Sequence, residues 1–146
     1  MSARSITPDL SALDVPWDVW SEPFWQATAE RKLLMPHCTE CGAFRWPAGP
    51  FCPQCQSQKV TWVPPGLGRI YSFTVLTVAN DVKDAAARHR VPVLVEFEQA
   101  KGVRLVSALI DAPLDGIAIG AAVEVEWLAA ANATVPVFRL ASPPPS

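Results

Sequence analysis

Four cysteines carry the most obvious chemistry of this chain, and they lie in one short stretch. Cys38-Thr-Glu-Cys41 and Cys52-Pro-Gln-Cys55 are two C-x-x-C pairs, and they contain every cysteine of the 146 residues. Two residues between cysteines form a tight turn that aims both sulfurs at one point. Four thiols arranged in this way can hold a metal, form disulfides or provide a redox pair.

The residues around the two pairs favour a metal. Pro53 suits the first central position of a turn because its φ is fixed. Gly42 can adopt the positive φ that often follows such a turn. The alternating segment 44–46 and the reversal at 47–50 predict a hairpin that returns the second pair to the first. We therefore predict that four thiolates converge on one tetrahedral metal ion.

The alternatives to zinc differ in what they require. The first residues have no apolar signal core, and no run approaches membrane-spanning length, so we expect a cytoplasmic protein with reduced thiols. A redox C-x-x-C pair usually opens a helix of a βαβ unit, and no such unit follows. The spacing also resembles the iron-binding pairs of rubredoxin, so an electron carrier stays an alternative. His37 either supports a ligand or lies partly exposed beside the ribbon.

The rest of the chain must position this metal module, and it is rich in strand patterns. Tyr71, Phe73 and Val75 are predicted to share one inward face, residues 99–102 form a hairpin turn, and Pro136 suggests an edge strand. Five mostly antiparallel strands after a small metal module predict a five-stranded OB-fold barrel. The predicted strands are Gly68–Val78, Val91–Glu98, Val103–Ile110, Ala122–Leu128 and Thr134–Leu140.

The N-terminal segment has a different pattern. Trp17, Trp20, Phe24 and Trp25 have the spacing of one helix face, although a separate helix beginning at Ser21 is an alternative. These aromatic residues either cap the chain's own barrel or ribbon, or form a docking face for another subunit. The fold class is therefore mainly β with a short helical N-terminus. The predicted parts are a helical lead-in at 1–34, a rubredoxin-like zinc ribbon at 35–63, an OB-fold at 64–141 and a disordered tail at 142–146.

Cations gather in one predicted loop, residues 79–90. Lys83, Arg88, His89 and Arg90 are candidate contacts for the phosphates of coenzyme A or of a nucleic acid. A solvated loop with a helical turn at 84–88 is the alternative interpretation.

Composition and residue types argue against two classes of function. The formal net charge is -2, and a tetrathiolate Zn²⁺ site changes it to -2 - 4 + 2 = -4. A module that binds single-stranded nucleic acid needs stacking aromatics in a basic groove, so this alternative is disfavoured.

All cysteines belong to the metal site, the two histidines lie in no recognisable triad, and a four-cysteine zinc keeps no open position. We therefore predict no catalytic residue in this chain.

The order of motifs resembles a known family. Pro23-Phe-Trp25 is followed by Cys-x-x-Cys-Gly, Cys-Pro-x-Cys, Gly68-Arg-Ile-Tyr-Ser-Phe-Thr-Val75 and Gly102-Val-Arg-Leu-Val-Ser107. This order is similar to the family that joins a rubredoxin-like zinc ribbon to an OB-fold associated with acyl-CoA. Segment 79–90 departs from the pattern because it is long for the first barrel loop.

The resemblance implies partners and a function. Members often occur beside thiolase-superfamily proteins, such as thiolases, thiolase-like aldolases and acyltransferases, and some are fused to or paired with hydratase-like domains. The implied role is an accessory subunit of an enzyme that forms or breaks C–C bonds of an acyl-CoA. Structural Zn²⁺ is the implied cofactor, and acyl-CoA is a candidate ligand.

Overall fold

The structure, a computed structural model, describes residues 3–78 and 88–142. Within these residues no helix has the length and apolar character needed to cross a membrane. The predicted tail beyond Ser142 lies outside the described residues. The elements in chain order are α1 (Glu22–Ala29), β1 (Met35–Cys38), β2 (Val60–Val63), β3 (Gly68–Phe73), β4 (Leu76–Val78), β5 (Arg88–Arg90), β6 (Pro92–Phe97), β7 (Arg104–Ala108), a 3₁₀ turn (Leu114–Gly116), β8 (Ala122–Ala129) and β9 (Thr134–Leu140).

The first two strands frame the cysteine module. β1 and β2 pair antiparallel, with Met35 opposite Val63 and Cys38 opposite Val60. The intervening residues 39–59 therefore leave and return at one end of a short ribbon. That end carries all four cysteines.

The other main sheet has five strands in the order β7-β6-β3-β8-β9, and every neighbouring pair is antiparallel. Its two edges meet, because Leu109 forms a parallel bridge with Phe138 and the Ile110 N–H donates to the Phe138 carbonyl at 2.8 Å. The sheet thus curls into the predicted OB-type barrel. The predicted hairpin between β6 and β7 and the edge position of Pro136 are confirmed. β4 and β5 form a separate hairpin.

The barrel core comes from alternate residues of its strands. Val93, Val95 and Phe97 face inward along β6, as their alternation predicts, and each is at most 6% exposed. They pack in one cluster with Ile70 of β3 and Phe138 of β9.

The predicted inward face of the first barrel strand is correct for Phe73, which packs against the core cluster, and wrong for Tyr71 and Val75. Tyr71 is 42% exposed, whereas Ile70 is fully buried. The pairing of β3 with β6 shifts register between Ile70 and Ser72, so a bulge changes which residues face the core. The predicted strand 68–78 is also divided into β3 and β4.

The single aromatic helix face predicted for the lead-in is also wrong. The helix begins at Glu22 after Ser21, which agrees with the alternative of a separate helix, and Trp17 and Trp20 precede it. Asp18 and Ser21 form a local turn in which the Ser21 N–H donates to Asp18 Oδ1 at 2.6 Å. Such side-chain bonds to the backbone compete with helical bonds.

The chain before the helix packs along the barrel as a strap, residues 4–15, which sequence patterns did not predict. The Ser5 N–H donates to the Ala112 carbonyl, and the Ala112 N–H donates to Ser5 Oγ, both at 2.9 Å. Near the other end, the Asn132 side chain exchanges two hydrogen bonds of 2.7 Å with the backbone of Val15. These bonds tie the strap to two distant parts of the barrel.

Gly68 allows three strands to approach closely, which leads to a stability prediction. A Cβ at residue 68 would lie 2.9 Å from Val95 Cγ1 and 3.2 Å from Val123 Cγ2. We expect Gly68→Ala to destabilise the metal-loaded protein by about 1–3 kcal/mol, because the packed core must shift. Gly49→Ala is the control, since a Cβ there meets no described atom within 4 Å. Urea unfolding of both variants checks this, and equal stabilities would contradict it.

Candidate metal centre and the groove beside it

The four predicted ligands converge at the end of the ribbon. The sulfurs of Cys38, Cys41, Cys52 and Cys55 all lie within 4.8 Å of one another. Cys38 Sγ is 3.7 Å from Cys55 Sγ, and Cys41 Sγ is 3.5 Å from Cys52 Sγ. A tetrahedral ion with Zn–S bonds of about 2.3 Å requires sulfurs about 3.8 Å apart. The donor set and its spacing therefore fit a four-coordinate metal.

The two cysteine turns have the same backbone design. In the first turn the Cys38 carbonyl accepts the Gly42 N–H at 2.9 Å, and in the second the Cys52 carbonyl accepts the Gln56 N–H at 2.9 Å. Gly42 and Gln56 both have positive φ, which confirms the prediction for Gly42. The same geometry at both turns aims each pair of sulfurs at a common point.

Backbone N–H groups stabilise the thiolate form of two of the four cysteines. The pKa of Cys38 is lowered to about 6, first by the N–H of Cys41, and the pKa of Cys52 is lowered, first by the N–H of Cys55. The N–H of Ser57 also favours the Cys55 thiolate, but burial and neighbouring sulfurs outweigh it and raise the pKa of Cys55 to about 12. Four thiolates this close repel one another. A divalent cation removes that repulsion, and with four sulfur ligands it keeps no position for a substrate or water.

His37 lies beside this centre on β1. Its ring packs against Phe44 with ring centroids 4.8 Å apart, and the side chain is half-buried. Phe44 forms an isolated bridge with His37, so the predicted short strand at 44–46 is reduced to one paired residue.

The four aromatic residues predicted as a docking face separate into two sets. Phe24 is 2% exposed and packs on Trp46, with ring centroids 4.9 Å apart, so it belongs to the core of the chain. Trp25 packs edge-on against Phe24 and stacks on Trp17. Trp17 and Trp20 remain 41% and 46% exposed.

Trp20 borders a groove between the lead-in and the ribbon, which we call the Trp20 groove. Its volume is about 200 Å³. Proline, tryptophan and valine side chains form most of its walls. The lining residues are Val19, Trp20, Pro23, Pro36, Arg45, Ala48, Gly49, Pro50, Gln58, Val60 and Trp62.

The ribbon residues of this groove were missed by sequence reasoning. Val60 and Trp62 alternate on β2 with Thr61, and both border the groove. That alternation was the available signal, but a four-residue strand is too short for a periodicity argument. Arg45 gave no signal at all, because its burial depends on the fold of the ribbon.

The cationic residues predicted to contact phosphates are only partly described. Lys83 lies outside the described residues, and so does the predicted helical turn at 84–88 apart from its last residue. Arg88 and Arg90 belong to strand β5 and not to a loop, and both are exposed. His89 between them accepts or donates a hydrogen bond of 3.2 Å with Thr77 Oγ1.

The carboxylates of the barrel strands lie in surface ion pairs. Arg139 on β9 contacts both Glu124 and Glu126 on β8, at 3.1 and 2.9 Å. Arg69 contacts Glu98 at 3.2 Å. These pairs have the character of solvated strand faces.

Two family models match the chain in succession. The first is described as ChsH2, rubredoxin-like zinc ribbon domain, and it matches residues 25–61. The second is described as ChsH2, C-terminal OB-fold domain, and it matches residues 62–128. Together they cover more than half of the chain.

Two curated proteins are similar in sequence. A "Probable enoyl-CoA hydratase alpha subunit" of Thermomonospora curvata is 37% identical over 82% of this chain, which spans 37% of that protein's length. A "DUF35 domain-containing scaffold protein" of Methanothermobacter thermautotrophicus is 34% identical over 68% of this chain and 75% of its own length.

Two solved structures are similar in fold. A chain of the "Ltp2-ChsH2(DUF35) aldolase" has a TM-score of 0.72 and 32% identity, covering 87% of this chain and 98% of that one. A protein of unknown function from the DUF35 family of Sulfolobus solfataricus has a TM-score of 0.62 and 16% identity, covering 84% of this chain and 86% of that one. This chain therefore belongs to the ChsH2 (DUF35) family, which joins a rubredoxin-like zinc ribbon to an OB-fold.

Proposed function

We propose that this chain is a non-catalytic accessory subunit that docks onto a thiolase-superfamily enzyme acting on acyl-CoA. Two names among its relatives support an assembly role. One relative is called a scaffold protein, and the other is solved as part of the "Ltp2-ChsH2(DUF35) aldolase". The relative from that aldolase is matched over nearly its whole length.

The Trp20 groove is the observation that carries the proposal. Trp17 and Trp20 leave more than two fifths of their surface in water, and Val19 is 69% exposed. Aromatic residues beside an apolar groove provide the buried anchors of protein interfaces. The partner expected in the groove is therefore a protein with an apolar protrusion, and we assign that role to the thiolase-like subunit.

Catalysis is assigned to the partner because the cysteines and three of the surface glutamates of this chain are already engaged. The four cysteines are held at the metal site, where zinc is the proposed ion and has a structural role. Glu124, Glu126 and Glu98 are engaged with arginines on the surface. The partner would make or break the C–C bond, and this chain would hold the complex together or shape substrate access.

A second partner and a ligand extend the proposal. One relative is named as a subunit of an enoyl-CoA hydratase, so a hydratase-like protein is the proposed second member of the assembly. In such an assembly an unsaturated acyl-CoA passes between neighbouring active sites. The exposed side chains of Arg88 and Arg90 on β5 are the proposed contacts for coenzyme A phosphates.

Binding of single-stranded nucleic acid has weaker support. Tyr71 is an exposed aromatic residue on the barrel, but the Arg104 guanidinium already lies 4.0 Å from its ring centroid. A stacking base would have to displace that cation. The net charge of -4 with zinc bound also opposes phosphate binding.

The accessory role predicts that activity appears only in the complex. The purified metal-loaded chain alone is expected to turn over no acyl-CoA by the thiolase, aldolase, hydratase or thioesterase reactions. Copurification from the native host, with the partner identified by mass, followed by assays of each protein and of the mixture, tests this. Robust turnover by the isolated chain would overturn the proposal.

A further inference from the structure

Arg45 is an unusual residue of the ribbon because it is charged and buried. Its exposed fraction is 3%, and it is the one charged side chain among the residues described as buried. A buried cation costs free energy unless it is paired or well hydrogen-bonded. A charged side chain buried inside so small a module therefore needs specific hydrogen-bond partners.

The contacts of Arg45 join the two cysteine turns. Nη1 donates to the Gly49 carbonyl at 3.3 Å, and Nη2 donates to the carbonyls of Ser57 and Lys59 at 3.2 and 3.3 Å. Its own N–H donates to the Pro36 carbonyl at 3.1 Å. The residue thus reaches from the strand that enters the first turn to the segment that leaves the second.

One of these acceptors belongs directly to a ligand turn. The Ser57 carbonyl that accepts from Arg45 also accepts the N–H of Cys52 at 2.8 Å. The guanidinium of Arg45 and the backbone N–H of a metal ligand therefore share one carbonyl acceptor. A movement of Arg45 would move the second turn.

The charges in the ribbon also favour a role for Arg45 at the metal centre. Four thiolates and one divalent ion carry a net charge of -4 + 2 = -2, whereas the carbonyls that accept hydrogen bonds from the Arg45 guanidinium are neutral. No carboxylate contacts Arg45 in the part of the chain that the structure describes. Nε has no hydrogen-bond partner there. The ribbon thus contains a buried cation and an anionic metal centre, and charges of opposite sign attract each other.

We propose that Arg45 is a positioning residue of the metal centre, which fastens the second cysteine turn to the first through backbone carbonyls and adds a buried positive charge to the ribbon that carries the tetrathiolate. This role concerns the ribbon itself and does not depend on the proposed partner. Outer partners of this kind affect metal affinity by about 10- to 100-fold.

The test compares three variants of the metal-loaded full chain. Arg45→Met removes the charge and all donors, and Arg45→Lys keeps the charge but cannot span three carbonyls. Lys59→Met is the control, because Lys59 is an exposed cation of the same ribbon that pairs with Glu40 at 2.8 Å. Zinc transfer to a chromogenic chelator gives the release rate, and the sulfur-to-cobalt charge-transfer bands of Co²⁺-substituted protein report ligand geometry.

We expect zinc release to be about 10-fold or more faster in Arg45→Met, with shifted cobalt bands, and intermediate in Arg45→Lys. Lys59→Met should behave as the wild type. Release rates and cobalt bands equal to those of Lys59→Met in both variants would overturn the proposal. If Arg45→Met does not fold, Arg45→Lys decides: faster release than Lys59→Met supports the role, and equal release overturns it.

Discussion

Cys52→Ser is expected to reduce bound metal from about one ion per chain to nearly none and to unfold the ribbon. Cys52 is 1% exposed, and its sulfur lies 3.5 Å from that of Cys41. Because the position is buried, water cannot enter to take the place of the lost sulfur ligand. Structural zinc contributes about 10–16 kcal/mol of apparent binding free energy in small modules. The loss of that contribution is as large as the whole stability of an ordinary domain, about 5–15 kcal/mol.

Elemental analysis and unfolding curves of the purified proteins check this result. Thr39→Ala is the control, because Thr39 is exposed in the first cysteine turn and provides no sulfur. The wild-type protein should contain zinc and be colourless, whereas iron would make it red. A full metal content in Cys52→Ser, or disulfides detected by mass in the wild type, would contradict the structural metal site.

Trp20→Ala and Val60→Asp are each expected to abolish capture of the thiolase-like partner while the metal content stays normal. Truncation of an anchoring tryptophan costs at least about 2 kcal/mol, which weakens binding ~30-fold. An aspartate at Val60 would bring a carboxylate into the mostly apolar Trp20 groove, where an apolar partner surface would have to desolvate it. Trp25 is left unchanged because it packs against the buried Phe24.

Val106→Asp provides the matched control for Val60→Asp. Both valines lie on strands and are exposed, at 73% for Val106 and 40% for Val60, but Val106 belongs to the barrel. Binding of each variant to the identified partner is measured at equilibrium. If Trp20→Ala and Val60→Asp bind normally and Val106→Asp does not, the docking face lies on the barrel. If all three bind normally, the surface near Arg88 and Arg90 is the next candidate.

Local rules were sufficient to predict the metal site and most of the barrel. The two C-x-x-C pairs determine their own turn geometry, so Cys38 to Cys55 could be recognised without any tertiary information. Strand β6 has clear alternation, because one face packs inside the barrel, whereas β9 buries the three consecutive residues 136–138. The inward prediction for Tyr71 failed because a bulge depends on the pairing of two strands and leaves no mark on a single-strand pattern.

Features that depend on distant parts of the chain could not be predicted. The helical spacing of Trp17 and Trp20 was misleading, because Asp18 to Ser21 form one turn with side-chain hydrogen bonds and the helix begins only at Glu22. The Trp20 groove exists only after the lead-in packs beside β2, and the burial of Arg45 exists only after the ribbon has folded. Such contacts join residues that lie far apart in the chain, so no local sequence pattern indicates them.

The N-terminal strap also has a consequence for the order in which a growing chain can assemble. Ser5 and Val15 bond to residues that are made 107 and 117 positions later, Ala112 and Asn132. At roughly 5–20 residues per second, the strap waits about 5–20 s for these partners. The metal ligands, by contrast, first complete their set only 17 positions after Cys38. The ribbon can therefore acquire its ion while the ribosome is still translating the barrel, and the strap, although it is made before the ribbon, reaches its final contacts after it.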